Sequence, residues 1–351
     1  MNTISKKLSS LINWMPPDDW LKIVTIDAHS AGEPLRIIVS GFPEIKGKTI
    51  LEYRRFVKEN YDHLRTSLLW EPRGHADMYG CLITPSVSQE ADFGVLFLHN
   101  EGYSTMCGHA IITLTKVLIE TGFLQMKSPE TEVKIDTPAG LVTSYAKIEN
   151  NRVKSVYFHN VPSFVLALDE LVTIQSIGKI RYDLAFGGAF YAFVNAKEIG
   201  LSLIPENFQK LIQSGVEIKK AIIDKQSIVH PFEKELSFLY GIIFVDEPLS
   251  DEADSRNVCV FANGEIDRCP TGTGVSARMA IHHMRGEIGI GEQMVIESII
   301  DSRYKGSIVK AIEYGPYKAV IPRVEGTAHI IGRNEFFIDP NDSLKNGFIL
   351  R

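Results

Sequence analysis

The segments VLFLHNEGYSTMCGHAIITLTKVLIE (residues 95–120) and VCVFANGEIDRCPTGTGVSARMAIHHM (residues 258–284) share one plan: an apolar strand, a polar turn, then a glycine-flanked helix start. When the helix starts are laid over one another, Cys107-Gly108-His109 falls on Thr271-Gly272-Thr273. The two triplets lie about one domain length apart. This predicts two similar domains, each offering a helix N-terminus to a shared cleft. A helix N-terminus leaves backbone N–H groups unpaired and carries partial positive charge, so two of them can clamp one carboxylate. The same field favours thiolate over thiol, which makes Cys107 a candidate base.

The rest of the chain agrees with a two-domain enzyme of mixed structure. Its 351 residues exceed the usual size of one hydrophobic core. With 44% hydrophobic and 23% charged residues, a well-buried core is available and no stretch reads as disordered. A net charge of −6 argues against a broad basic face for nucleic acid or anionic lipid and favours a small-molecule partner. Residues 1–20 are interrupted by two prolines and two aspartates and do not read as a signal peptide, and no window approaches the length of a membrane span. The expectation is a cytoplasmic protein.

Strands are predicted over residues 22–27, 35–39, 94–99, 153–160, 189–195, 239–245 and 258–262, with several more between 294 and 331. Helices are predicted over 50–64, 110–121, 202–214 and 274–286. Many short strands and few helices make the class α+β. The boundary is placed near Gly188, giving residues 1–188 with Cys107 and 189–351 with Thr271, the C-terminal strand being free to return to the first domain.

Four cysteines, Cys81, Cys107, Cys259 and Cys269, show no CxxC pairing and read as reduced thiols. Cys259 sits in an apolar run and Cys81 follows a glycine and an aromatic; both read as small core residues. Gly272, Gly274 and Ala277 match a GxGxxA dinucleotide fingerprint, but a polar turn separates them from the preceding strand, so a nucleotide-bound dehydrogenase is the lesser reading. Adjacent His282 and His283 point to different helix faces and read as surface residues, so no metal is expected. His29 and Glu33 in DAHSAGEP read equally well as a turn between strands and are left out of the catalytic set.

MCGHA (residues 106–110) and DRCPTGTG (residues 267–274) together resemble the active-site motifs of the proline racemase family. IDAHSAGEPLRIIVSGFP (26–43), RGHADMYG (73–80), DTPAGLV (136–142), FGGAFYAFV (186–194) and the C-terminal FIDPNDSLKNGF resemble family segments in the expected order. The resemblance implies a diaminopimelate epimerase-like fold: two α/β domains with antiparallel sheets around central helices, and the site in the interdomain cleft. It also implies a homodimer, a cyclic amino acid as substrate and no cofactor. Substrate contacts carried over from the family pattern are Gly108, His109, Gly272, Thr273 and Asp267, which would pair with the ring ammonium, with Asp77 as a further contact. His109 is expected to act mainly through its backbone.

In the family's racemases and epimerases two cysteines face each other across the substrate. Here the second position is Thr271, the replacement associated with trans-3-hydroxy-L-proline dehydratases. A threonine hydroxyl is too weak an acid to be a resting base, so two-sided proton exchange should fail while one-sided abstraction remains. The implied reaction has Cys107 taking the Cα proton and the 3-hydroxyl leaving as water, assisted by Thr271 or a held water, to give an enamine and then Δ1-pyrroline-2-carboxylate. Cys269, where the family usually has serine, carries the alternative: residues two apart in an extended turn can point the same way. A Cys107/Cys269 pair would make a proline racemase or 4-hydroxyproline 2-epimerase. A non-catalytic amino-acid-binding protein is the alternative from another class.

Overall fold

The computed structural model describes residues 4, 7, 8, 11 and 14–350; much of the segment expected to lack a signal peptide therefore lies outside the described residues. The first half of the chain forms β1 (Leu21–Ser30), β2 (Glu33–Ser40), α1 (Ile50–Asn60), α2 (Asp62–Leu69), β3 (Tyr79–Thr84), β4 (Phe93–His99) and β5 (Gly102–Ser104). It continues with α3 (Gly108–Glu120), β6 (Glu130–Thr137), β7 (Gly140–Glu149) and β8 (Arg152–His159). After β9 (Ser163–Ile174) come β10 (Gly178–Phe186), β11 (Phe190–Asn195), α4 (Phe208–Lys225), β12 (Leu239–Asp246), β13 (Ser255–Phe261) and β14 (Glu265–Ile266). The chain ends with α5 (Gly272–Met284), β15 (Gln293–Glu297), β16 (Arg303–Tyr314), β17 (Tyr317–Gly326) and β18 (Ala328–Ile338).

The strands pair in the same sequence twice. β1 pairs antiparallel with β2, β2 runs parallel to β3, and β3 is antiparallel to β4. β4 then pairs antiparallel with β5 and parallel with β6, and β6–β7–β8 form an antiparallel meander. β10 to β17 repeat every one of these relationships, with β14 and α5 in the places of β5 and α3. β17 on β8 joins the two copies, and β9, which pairs with β10 and β17, belongs to the second. β18 returns to pair with β1 along the whole of that strand.

Each sheet wraps a helix that is apolar nearly all round, as a core helix must be. In α3 (GHAIITLTKVLIE) all residues but Lys116 and Glu120 are buried, and the helix packs on β1, β2, β7, β8, β17 and β18. α5 is buried from Gly272 to Ile281 and packs on β9, β10, β16 and β17. The α+β fold of mainly antiparallel sheets around central helices, as expected, is the one observed. Among the described residues no helix is long and apolar enough to cross a membrane.

Two helix boundaries differ from the sequence reading. The helix predicted over residues 50–64 is two helices, because Tyr61 leaves helical geometry (φ −131°, ψ 17°) and its ring packs on Phe42 and Phe56. The helix predicted over 202–214 starts six residues later and runs on to Lys225. Pro205 holds Ile204 extended and is followed by a single 3-10 turn. Gly215 does not stop the helix but lets it press on β13, since a Cβ there would lie 2.7 Å from Val260 Cβ.

Candidate active site

The N-termini of α3 and α5 abut end to end, and at the junction lies a cavity of about 20 Å³, room for little more than a water molecule. Both helices start from equivalent residues. Cys107 is the N-cap of α3, its carbonyl accepting the Ile111 N–H; Thr271 is the N-cap of α5, its carbonyl accepting the Val275 N–H. Both side chains line the pocket, together with Gly108, His109, Asp267, Gly272 and Thr273. Seven of the eight residues expected at the site are thus brought together.

Thr271 has φ +65°, unusual for a β-branched residue. It is held there by its hydroxyl, which donates to Asp267 Oδ2 (2.8 Å), and by its N–H, which donates to Cys269 Sγ (3.3 Å). Asp267 Oδ1 accepts the Cys269 N–H at 2.7 Å. This turn faces Thr271 and Asp267 to the pocket while Cys269, fully buried, is not part of its lining. The extended-turn argument for Cys269 fails because the left-handed residue breaks the two-residue alternation.

Cys107 Sγ lies 3.1 Å from His109 Nδ1. The imidazole is buried against the Tyr79 ring (4.8 Å, edge-on), so His109 offers its side chain as well as its backbone. Burial pushes the His109 pKa down to about 4, the Asp267 charge and a hydrogen bond to Pro34 only partly opposing this, so the ring is neutral at pH 7. The Cys107 pKa departs from the sequence reading. Burial pushes the thiol well above its ordinary value; the Ala110 N–H and the Tyr79 hydroxyl pull it down, and the charges of Asp267 and Glu33 push it up again. The helix-start contribution is present but is outweighed by desolvation and two carboxylates.

Asp77, the eighth expected residue, does not line the pocket. Its carboxylate pairs with the Arg268 guanidinium at 2.9 Å. Other residues at the site had no usable local signal. Tyr79, Tyr191, Tyr240 and Phe261 lie on strands and form its aromatic wall, with the Tyr191 hydroxyl 2.7 Å from Thr273 Oγ1. Cys259 is a buried core residue, as expected, yet also touches the pocket. Glu33 is at the wall as well, so the turn reading of GEP was incomplete; His29 instead packs against His329. The dinucleotide fingerprint lacks its context, because β14 and the Asp267–Thr271 turn intervene between β13 and α5. His282 and His283 are half-buried rather than surface residues: His282 bonds Glu287 and Arg278, and His283 meets the Ile288 carbonyl.

The proline racemase family model matches residues 25–349. A trans-3-hydroxy-L-proline dehydratase of Colwellia psychrerythraea is 49% identical over 341 residues, 96% of each chain. A trans-L-3-hydroxyproline dehydratase of Xenopus tropicalis is 42% identical over 340 residues, 96% of this chain and 98% of the relative. Among solved structures, a hydroxyproline epimerase from Agrobacterium vitis with bound trans-4-hydroxy-L-proline superposes with a TM-score of 0.89 at 32% identity, covering 94% of this chain and 96% of that one.

Proposed function

This chain belongs to the proline racemase family, and from that premise we propose that it dehydrates trans-3-hydroxy-L-proline to Δ1-pyrroline-2-carboxylate and water, with Cys107 as the base. The observation that carries this reading is that the two N-caps on the pocket are one thiol, Cys107, and one hydroxyl, Thr271. The names of the dehydratase relatives and the cyclic amino acid in the epimerase structure support it.

The substrate carboxylate sits between the paired helix starts, where the N–H groups of Gly108, His109, Gly272 and Thr273 and two helix dipoles stabilise the charge that develops as Cα–H breaks. Asp267 takes the ring ammonium. That positive charge offsets the Asp267 carboxylate, one of the groups that hold the Cys107 pKa up.

In trans-3-hydroxy-L-proline the hydroxyl is opposite the carboxylate and therefore on the same ring face as Cα–H. Cys107 removes that hydrogen, so the hydroxyl departs on the Cys107 side. The newly formed Cys107 S–H is the acid that meets it: the C–O bond breaks, the thiol proton completes water, and the thiolate is restored. Thr271, on the other face, commits its own proton to Asp267. It neither takes nor returns a proton at Cα, so the enzyme eliminates rather than epimerises.

We further assign β1–β8 with β18 to one structural unit and β9–β17 to a second, which moves the boundary from near Gly188 to between His159 and Ser163, a division supported by the repeated strand pairings, and a cytoplasmic homodimer as the working assembly. The test of the chemistry is Cys107→Ala and Cys107→Ser. Both should retain the fold and lose turnover by about three orders of magnitude or more; a Cys107→Ala variant that dehydrates at the wild-type rate overturns the proposal.

A further inference from the structure

Glu33 opens β2 and is fully buried on the wall of the pocket. Its Oε2 accepts the backbone N–H of Arg268 at 2.7 Å, but no donor among the described residues reaches Oε1. As a carboxylate, Glu33 would leave that buried oxygen without a donor, which is unfavourable. The proposed chemistry gives this carboxyl nothing to do: Cys107 handles the proton, the helix starts hold the carboxylate and Asp267 takes the ammonium.

Asp267 is already partly engaged. Its Oδ1 holds the Cys269 N–H and its Oδ2 the Thr271 hydroxyl. A secondary ring ammonium, however, carries two N–H donors that diverge tetrahedrally, and burying either without an acceptor is unfavourable. Glu33 and Asp267 both face the pocket, and the Arg268 guanidinium, whose charge acts on both, is bonded to Asp77 and the Ile266 carbonyl. We infer that Glu33 supplies a second carboxylate for the substrate's ring ammonium, accepting one of its two N–H groups while Asp267 accepts the other. The inference rests on the cyclic-amino-acid reading of the site and deepens it.

A proton balance follows. Burial, the charge of Asp267 and a hydrogen bond between the two carboxyls push the Glu33 pKa up, and the charge and N–H of Arg268 oppose this only in part. Two neighbouring buried carboxyls hold one negative charge more readily than two, so Glu33 carries a proton until a cation lies between them. The ammonium keeps both of its protons, and Glu33 releases its own to solvent. Binding of a cyclic amino acid is thereby coupled to release of a proton, and a ring nitrogen bearing an alkyl group loses one of the two contacts.

The test is calorimetric titration of the full chain with L-proline, which has no 3-hydroxyl to lose, in two buffers of different ionisation enthalpy near neutral pH. Wild type should release close to one proton on binding. Glu33→Gln should release almost none and bind about tenfold more weakly or worse. N-methyl-L-proline should bind wild type about tenfold more weakly than L-proline, with the gap closing in Glu33→Gln. Glu33→Asp, which keeps the carboxyl, should keep the proton release at reduced affinity and serves if the glutamine variant does not fold. Absence of proton release from wild type overturns the inference, as does a glutamine variant with wild-type affinity and proton count. Failure of the dehydratase reading looks different: wild type then leaves trans-3-hydroxy-L-proline unchanged, whereas failure of the Glu33 assignment leaves that turnover intact.

Discussion

Gly108 and Gly272, each the first residue of its helix, stand back to back: a Cβ on Gly108 would lie 2.7 Å from Gly272 Cα, and one on Gly272 would lie 2.8 Å from Gly108 Cα. The obstacle in both cases is backbone, which cannot swing aside as a side chain can. Gly108→Ala or Gly272→Ala should therefore force the helix starts apart, costing about 1–3 kcal/mol of stability and displacing the N–H groups that face the substrate carboxylate. Thermal unfolding and turnover should fall together; a variant at either position with unchanged melting and unchanged activity would contradict this geometry.

Thr271→Cys places a thiol at the N-cap opposite Cys107 with little change in volume. In D2O this variant should exchange the α-proton of trans-4-hydroxy-L-proline and epimerise it, which wild type should not do. NMR of the recovered amino acid reads both outcomes. A Thr271→Cys protein that folds, binds the ligand and still exchanges nothing would remove Thr271 from the face opposite Cys107.

Cys269→Ser should keep dehydration within about threefold of wild type, a change of less than 1 kcal/mol. The thiol lies outside the pocket and acts as the acceptor of the Thr271 N–H, a role the serine oxygen can fill. Steady-state kinetics decide the matter, and a loss of several orders of magnitude would bring the Cys107/Cys269 pair back.

His109 sets a pH dependence of stability. Its pKa is about 4 in the folded chain against the ordinary 6.5, so between these values the unfolded chain binds more protons than the folded one. Stability from this group is complete above pH 6.5 and is lost as pH falls towards 4 and below, by up to about 3 kcal/mol. Denaturant unfolding at a series of pH values should show that slope in wild type and lose it in His109→Asn. Equal slopes in the two proteins would count against a buried neutral imidazole beside Cys107.

The repeat of strand, turn and glycine-flanked helix was legible because the elements that carry it are locally consistent: α3 and α5 start at the residues where the two sequences align, Cys107 and Thr271. Other features depend on contacts distant in sequence. β6 (ETEVKIDT) alternates exposed and buried residues and has charges along one face, so it has little of the apolar run that marks β4. Glu33 and Asp77 sit in polar turns that look alike in sequence. Whether such a carboxylate meets a ligand or an arginine is decided by where the turn after β14 falls, which places the Arg268 N–H on Glu33 and the Arg268 guanidinium on Asp77. The direction of Cys269 could not be read either, because it depends on the positive φ of Thr271, a residue type that seldom adopts one.

Proton NMR of trans-3-hydroxy-L-proline incubated in D2O with the purified protein, beside parallel samples of trans-4-hydroxy-L-proline and L-proline, tests the central claim most directly. The account predicts loss of the 3-hydroxy substrate alone, with Δ1-pyrroline-2-carboxylate appearing in its place. Epimerised 4-hydroxyproline, racemised proline, or three unchanged spectra from folded protein would contradict it.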